Sequence, residues 1–138
     1  MLPRLLLVGR NADRLAAVAR SHKLAHWTTD LAAALADPAY AIFFDAAATQ
    51  QRVAALEKAI AADKHVYCEK PVAPTSAQGL ALLRQAQARG RKHAVVEDKV
   101  HLPGLQKLAA LTTRGALGRI TGFRLEFGWW VFDGSEQP

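Results

Sequence analysis

A carboxylate, an amine and a proline follow one another at Glu69, Lys70 and Pro71, directly after the apolar run His65–Cys68. Such a run predicts a buried strand. Open parallel sheets bind ligands at the carboxyl ends of their strands. A lysine at that edge can donate a hydrogen bond to a ribose hydroxyl or a substrate oxygen. The alternative is a solvated lysine before a proline that begins the next helix.

The elements that must position these residues alternate along the chain, as apolar runs of four to six residues separate segments of helical period. This alternation predicts an α/β protein with a parallel sheet. The candidate helix N-caps are, in chain order, Asn11, either Thr29 or Asp30, and Thr75, which forms a capping box with Gln78. Helices are also expected from about 50 to 62 and around Leu105–Leu111. The predicted strands are Leu5–Val8, Leu24–Trp27, Ala41–Phe44, His65–Cys68 and His93–Val96.

Two of these elements carry specific expectations about burial. Continuous large side chains in Ala41–Phe44 predict a strand that is covered on both faces. The first helix should bury a stripe formed by Leu15, Val18 and His22. The last segment differs, since apolar residues alternate with polar ones from Phe123 to Trp129. That pattern predicts the first strand of a new, antiparallel sheet with one wet face.

Composition excludes several classes of function. The chain has 138 residues, a formal charge of +6 and a single cysteine, Cys68. No apolar run is long enough to span a membrane and no signal peptide is evident, so a reducing cytoplasm is expected. The positive charges are dispersed, which argues against nucleic-acid binding and favours an anionic cofactor. Of the five histidines, only His22 and His26 have ligand spacing, so no metal site is expected.

The run from Lys64 to Pro71, followed by a capped helix and Gly90–Val96, closely resembles the Gfo/Idh/MocA family of NAD(P)-dependent oxidoreductases. Residues 27–38 and 115–120 are also similar to stretches of that family. The resemblance implies a Rossmann-like doubly wound parallel sheet over residues 1–116. It further implies that residues 117–138 begin a second, α+β domain that binds substrate.

The resemblance also implies hydride transfer between a nicotinamide cofactor and a small, sugar-like hydroxyl or carbonyl substrate. Lys70 matches the lysine of the family's Glu-Lys-Pro motif and would lie near the nicotinamide ribose and the reacting oxygen. Glu69 would orient Lys70, and Pro71 would fix the turn. Lys99 follows the fifth strand, where the family often carries arginine, and would contact the substrate.

The cofactor contacts at the other strand ends follow from the same resemblance. Gly9, Arg10 and Asn11 stand where the family meets the adenosine ribose, and an arginine there favours NADP, with NAD as the alternative. Ala47 and Thr49 stand in the family's Thr-Pro-Asn turn and are assigned to the cofactor. The family's histidine after that turn is replaced here by Arg52.

The departures from the family are large. No Gly-x-Gly-x-x-Gly precedes the first strand, and the family's later acid and base residues have no counterparts here. The chain is therefore expected to be an internal segment of an oxidoreductase that is inactive alone. Two alternatives stay open: a non-catalytic nucleotide-binding or assembly module, and a receiver-like signalling domain built around Asp45. The apolar edge near Phe123–Phe132 suggests a homo-oligomer.

Overall fold

The computed structural model describes residues 3–126 and 128. The chain divides into two compact units, with the boundary between Glu97 and Asp98. Within the described residues, no helix is both long enough and apolar enough to cross a membrane.

The first unit alternates strands and helices, as the sequence predicts. Its order is β1 (Leu7–Val8), α1 (Ala12–Ser21), β2 (Trp27–Thr28), α2 (Leu31–Ala36), β3 (Ile42–Asp45), α3 (Thr49–Ala61), β4 (His65–Cys68), α4 (Ser76–Ala88) and β5 (His93–Val95). The α/β class is therefore confirmed.

All described strand pairs are parallel. β1 pairs with β2, with Leu7 opposite Trp27, and β3 pairs with β4, which pairs with β5. Each described strand therefore belongs to a sheet of order β1-β2 or to a sheet of order β3-β4-β5. In the doubly wound order 3-2-1-4-5-6, these two sheets correspond to strands 2-3 and 4-5-6. Among the described strands, β1 is hydrogen-bonded to β2 alone and β3 is hydrogen-bonded to β4 alone.

The core lies between the three-stranded sheet and helices α3 and α4. Leu56 and Ile60 of α3 are buried together with Leu82 of α4 and Val66 of β4. Val53, one helical turn before Leu56, packs against this cluster, as the helical spacing predicts. The sheet face that carries Val66 is thus covered by two helices.

The expectation that β3 is covered on both faces is wrong. Ile42 is 66% exposed and Phe44 is 52% exposed, whereas Asp45 is buried. The exposed ring of Phe44 stacks against Tyr67 of β4, with ring centroids 5.3 Å apart. Side chains of a strand alternate between faces, so helix packing on one face leaves this opposite face to solvent.

The first strand and helix also differ from prediction. Leu5 lies before β1 and is 54% exposed. Helix α1 buries Leu15 and Ala19, whereas His22 is exposed at the C-cap position. A Cβ at Gly9 would lie 3.0 Å from Leu15 Cδ2, so glycine lets the chain after β1 approach α1 closely. The buried stripe of α1 therefore runs from Leu15 to Ala19, at the i+4 position, and does not include His22.

Side chains cap three of the helices. Asn11 Oδ1 accepts a hydrogen bond from Arg14 N, and Asp30 Oδ1 accepts one from Ala33 N. Thr75 caps α4 as predicted, but its hydroxyl also donates to Gln78 Oε1. The reciprocal bond of a capping box, from a side chain back to the N-cap amide, is therefore replaced by a side-chain pair.

The second unit contains a 3₁₀ turn, Asp98–His101, and helix α5, Pro103–Thr113. Gly115 follows α5 with φ of 68°, consistent with its predicted role in ending the helix. Residues 123–126 form no strand, and Phe123 is 82% exposed. The strand expected there is wrong over these residues, because a strand needs a hydrogen-bonded neighbour. Phe127 and Trp129 lie outside the described residues, and the domain boundary at 116/117 stays a prediction.

Candidate functional site

The turns after β3 and β4 lie side by side. Asp45 and Cys68 are partners in the parallel register, so both strands end at the same edge of the sheet. The backbone continues this pairing by one step, since Glu69 N donates to the Asp45 carbonyl oxygen at 2.9 Å. Glu69, Lys70 and Pro71 therefore occupy the carboxyl edge, where parallel sheets bind ligands.

Lys70 is exposed at this edge. Its backbone N–H donates to Glu69 Oε2 at 3.2 Å, and the Lys70–Pro71 peptide bond is cis. The expected orienting role of Glu69 therefore has a specific contact, from the Glu69 carboxylate to the backbone of Lys70. The Lys70 side chain is left accessible to a ligand.

A buried ion pair lies directly beneath these turns. Arg52 Nε is 2.6 Å from Asp45 Oδ2, and the two side chains are 2% and 3% exposed. Arg52 Nη1 also donates to the Pro71 carbonyl at 2.6 Å, and Nη2 donates to the Ala47 carbonyl at 2.8 Å. We call this set, Asp45, Ala47, Arg52 and the Pro71 carbonyl, the Arg52 brace.

This role of Arg52 is not among the predictions from the sequence. A signal was present, because Arg52, Leu56 and Ile60 fall at i, i+4 and i+8 on the buried stripe of α3. A charged residue in such a stripe needs a buried partner. Asp45, at the end of the preceding strand, is the nearest acid on the N-terminal side of Arg52 in the chain.

The brace also affects Cys68, whose side chain lies in the core beside it. Burial raises the pKa of the Cys68 thiol, and the charge of Arg52 partly opposes that rise. A raised pKa keeps the thiol protonated, which disfavours a role as nucleophile. Cys68 is therefore a core residue in this site.

Ala47 and Thr49 lie at the start of α3. Ala47 N donates to Asp45 Oδ1 at 3.2 Å and its carbonyl accepts from Arg52, so both backbone polar groups of Ala47 are bonded within the chain. Thr49 is the first residue of α3, and the N-cap Ala48 supplies no side-chain hydrogen bond. Thr49 and the first backbone amides of α3 are thus better placed than Ala47 to contact a ligand.

Gly9, Arg10 and Asn11 follow β1 and therefore lie at the carboxyl end of the two-stranded sheet. Gly9 N donates to the Thr28 carbonyl at 3.3 Å, which extends the pairing of β1 and β2. Arg10 is exposed, and Asn11 is engaged as the N-cap of α1. These residues are grouped with one another, on a different sheet from Lys70.

Lys99 belongs to the second unit, in the 3₁₀ turn. Its Nζ lies 2.5 Å from Asp98 Oδ2, and the hydrogen bond from Lys99 lowers the pKa of the Asp98 carboxyl. A substrate contact by Lys99 stays a prediction.

The residues present match part of what a dinucleotide requires. Arg10 and Lys70 after strand ends and Thr49 at the start of α3 carry hydrogen-bond donors of the kind that a dinucleotide needs, and their assignment to the cofactor stays a prediction. The chain carries no Gly-x-Gly-x-x-Gly turn before a helix, so its described residues offer no such cradle for the pyrophosphate. The same described residues contain no group of three His, Cys, Asp or Glu side chains that could hold a metal ion.

Residues 5–97 match the family model GFO_IDH_MocA, which describes an oxidoreductase family with an NAD-binding Rossmann fold. A D-xylose dehydrogenase from Paenarthrobacter nicotinovorans is 46% identical over 132 residues, which is 96% of this chain and 34% of the relative. This chain thus spans about a third of the length of that relative.

Solved structures show the same fold. An NAD-binding oxidoreductase from Klebsiella pneumoniae superposes with a TM-score of 0.77 at 24% identity, over 82% of this chain and 30% of the other. Levoglucosan dehydrogenase in complex with NADH and levoglucosan also superposes with a TM-score of 0.77 at 24% identity, over 84% of this chain and 31% of the other. An oxidoreductase from Agrobacterium radiobacter, in complex with NAD⁺, L-tartaric acid and magnesium, superposes with a TM-score of 0.73 at 24% identity, over 83% of this chain and 33% of the other.

Proposed function

Because the chain belongs to the Gfo/Idh/MocA family of oxidoreductases, with its NAD-binding Rossmann fold, we propose that it forms the dinucleotide-binding part of a sugar dehydrogenase. The observation that carries this proposal is the position of Lys70, exposed at the carboxyl edge of the sheet, two residues after the end of β4. The substrate class follows from the 46% identity to a D-xylose dehydrogenase. A pentose or a related sugar is the proposed substrate.

Lys70 is the proposed catalytic residue. When bound, the nicotinamide supplies or accepts the hydride. The Lys70 ammonium donates a hydrogen bond to the substrate oxygen, where negative charge develops as the carbonyl is reduced. Glu69 holds the backbone of Lys70 through its carboxylate, and Lys99 is proposed to contact the substrate.

Arg10 is the proposed determinant of cofactor choice. It is exposed at the end of β1, where the adenosine ribose of a Rossmann-type site lies. A guanidinium pairs well with a 2′-phosphate and gains nothing comparable from a 2′-hydroxyl. We therefore propose NADP as the preferred cofactor, with NAD as the alternative.

The 138-residue chain alone is proposed to bind without turnover. Hydride transfer needs the cofactor and the substrate held in near-attack geometry. A chain without the glycine-rich cradle offers less affinity for the pyrophosphate. The second candidate is a nucleotide-binding module that does no chemistry, and the exposed cations Arg10 and Lys70 at the strand ends favour it because they suit an anionic ligand without any reaction.

The test compares ligands with and without nicotinamide. Thermal unfolding of the chain is followed with NADPH, NADH and 2′-phospho-ADP-ribose, since a ligand that binds the native state raises the Tm. We expect NADPH to raise the Tm more than NADH does. The K70A variant should lose about tenfold or more in affinity for NADPH and keep its affinity for 2′-phospho-ADP-ribose, because a hydrogen bond from a charged group contributes roughly 1.5–3 kcal/mol.

The matched control is R10A, which should weaken the binding of both 2′-phosphorylated ligands and leave the effect of NADH on the Tm unchanged. A wild-type chain whose Tm responds to none of the three ligands would contradict the proposal. If K70A lost equal affinity for NADPH and for 2′-phospho-ADP-ribose, Lys70 would not contact the nicotinamide, and the second candidate would be favoured.

A further inference from the structure

The Arg52 brace joins two turns that come from different parts of the chain. Its Nε and Nη2 atoms bond to Asp45 and Ala47, which lie at the end of β3 and in the turn before α3. Its Nη1 atom bonds to the Pro71 carbonyl, nineteen residues away in sequence. One buried guanidinium therefore fixes the spacing between the β3 turn and the β4 turn.

Lys70 is held on both sides by this arrangement. The residue before it, Glu69, donates its N–H to the Asp45 carbonyl at 2.9 Å. The residue after it, Pro71, has its carbonyl bonded to Arg52 at 2.6 Å. The backbone on either side of Lys70 is therefore bonded to residues of the brace, to the main-chain carbonyl of Asp45 before it and to the Arg52 guanidinium after it, while the Lys70 side chain is exposed.

Stability alone is a weak reason for such a pair. The cost of removing two charges from water offsets much of their attraction, and apolar replacements of a buried ion pair are often neutral or stabilising. What a guanidinium provides is a rigid planar fork of donors. Here that fork reaches three acceptors in fixed directions. A lysine has one nitrogen and cannot reproduce the same spacing.

We propose that Arg52 is a positioning residue, which holds the Lys70 turn at the place where Lys70 meets the nicotinamide and the substrate oxygen. The inference rests on the proposed function and adds the residue that sets the geometry of Lys70.

The test uses the full chain and three variants, R52M, R52K and D45L/R52M. The double variant removes both charges together, so it leaves no unpaired buried charge and is the one designed to stay folded. Amide hydrogen exchange is measured at Ala47, whose N–H bonds to the Asp45 carboxylate, and at Glu69, whose N–H bonds to the Asp45 main-chain carbonyl. Because D45L removes the acceptor of Ala47 directly, Glu69 reports on the brace in the double variant, and Ala47 reports on it in R52M and R52K. The internal controls are the amides of Val66 and Val96, which bond elsewhere on the sheet.

We expect exchange at Ala47 and Glu69 to accelerate at least tenfold in D45L/R52M, with Val66 and Val96 unchanged. The affinity for NADPH should fall about tenfold and the affinity for 2′-phospho-ADP-ribose should not change, since the latter lacks the nicotinamide. R52K should behave like R52M, because a single ammonium cannot bond to all three acceptors. A structural role alone would not separate the two ligands.

Two results would overturn the inference. Unchanged exchange at Glu69 in a folded D45L/R52M chain would show that the brace does not hold the turns. Faster exchange with unchanged NADPH affinity would show that it holds them without serving the ligand. A wild-type chain that binds no NADPH refutes the proposed function instead, and the exchange rates then decide separately whether Arg52 holds the turn.

Discussion

Helices α3 and α4 pack on β3–β5 and bury Leu56, Ile60 and Leu82, whereas α1 packs on β1 and β2 and, among the described residues, buries Leu15 and Ala19. We call the first set of elements the three-stranded region and the second the two-stranded region. Both share the same parallel pairing and the same strand–helix order. They differ in how much apolar surface their helices remove from water, which is the main source of stability.

This difference bears on the proposed site. Lys70 follows a strand of the three-stranded region, and a buried ion pair ties its turn to the sheet. Arg10 follows a strand of the two-stranded region. Its neighbour Gly9 bonds to β2, and its neighbour Asn11 accepts bonds from the first turn of α1, so among the described residues no buried side chain ties this turn to a distant part of the chain. The turn proposed for chemistry is thus far more constrained than the turn proposed for adenosine recognition.

The largest effect should come from breaking the buried pair of the three-stranded region. D45N leaves the Arg52 guanidinium buried without its counter-charge, and we expect a loss of about 3–5 kcal/mol in the free energy of unfolding. The matched control is D63N, since Asp63 pairs with Arg89 at 3.2 Å on the surface. There the loss should stay within about 1 kcal/mol. Similar losses for the two variants, by urea unfolding, would contradict the assignment of Asp45 to a buried brace.

A pair of identical truncations compares the two regions directly. L56A removes a side chain that is 2% exposed in the main core, and L15A removes one that is 6% exposed under α1. Leu→Ala changes in cores cost about 2–5 kcal/mol and depend on how well the site collapses. We expect L56A near the upper end and L15A near the lower end of this range, by urea unfolding. An L15A loss equal to that of L56A would remove the distinction between the regions.

Helix capping should not distinguish the regions. Asn11 caps α1 in the two-stranded region and Thr75 caps α4 in the three-stranded region, each by a side-chain oxygen that accepts a backbone N–H. N11A and T75A should therefore each cost about 1 kcal/mol. Urea unfolding of both variants checks this. A much larger loss in either variant would mean that its cap also supports tertiary packing.

The same division separates what the sequence predicts well from what it does not. The bounds of α2 and β4 follow from local signals, namely Asp30 as N-cap, Pro38 after the helix and the apolar run from His65. The exposed face of β3 is not local, because it depends on which helices cover the sheet. An apolar strand has the same composition whether one face or two are covered.

The candidate site divides in the same way. The place of Glu69, Lys70 and Pro71 at a strand end follows from the order of residue types along the chain. The burial of Arg52 depends on an acceptor nineteen residues away, the Pro71 carbonyl, and a backbone acceptor leaves no mark in the sequence. The signal in the sequence for a buried ion pair is Arg52 itself, a charged residue in the apolar stripe of α3.

The smallest expected effect is a pH dependence that arises from Cys68, in the three-stranded region. Burial raises the pKa of its thiol above the ordinary value of 9.0, and Arg52 partly opposes the rise. The unfolded chain therefore loses this proton at a lower pH than the folded chain does. Above about pH 9, the folded state binds more protons from this group than the unfolded state, so rising pH destabilises the fold.

The stabilisation linked to this proton is fully present below the pKa of the unfolded thiol and is lost as pH rises through the folded value. Its slope cannot exceed about 1.4 kcal/mol per pH unit for one proton. Urea unfolding of the wild type and C68A between about pH 8 and pH 10.5 isolates it, since the other groups titrate alike in both chains. The wild type should lose stability more steeply than C68A. Equal slopes would mean that the fold does not raise the pKa of the Cys68 thiol, and that the charge of Arg52 offsets the effect of burial.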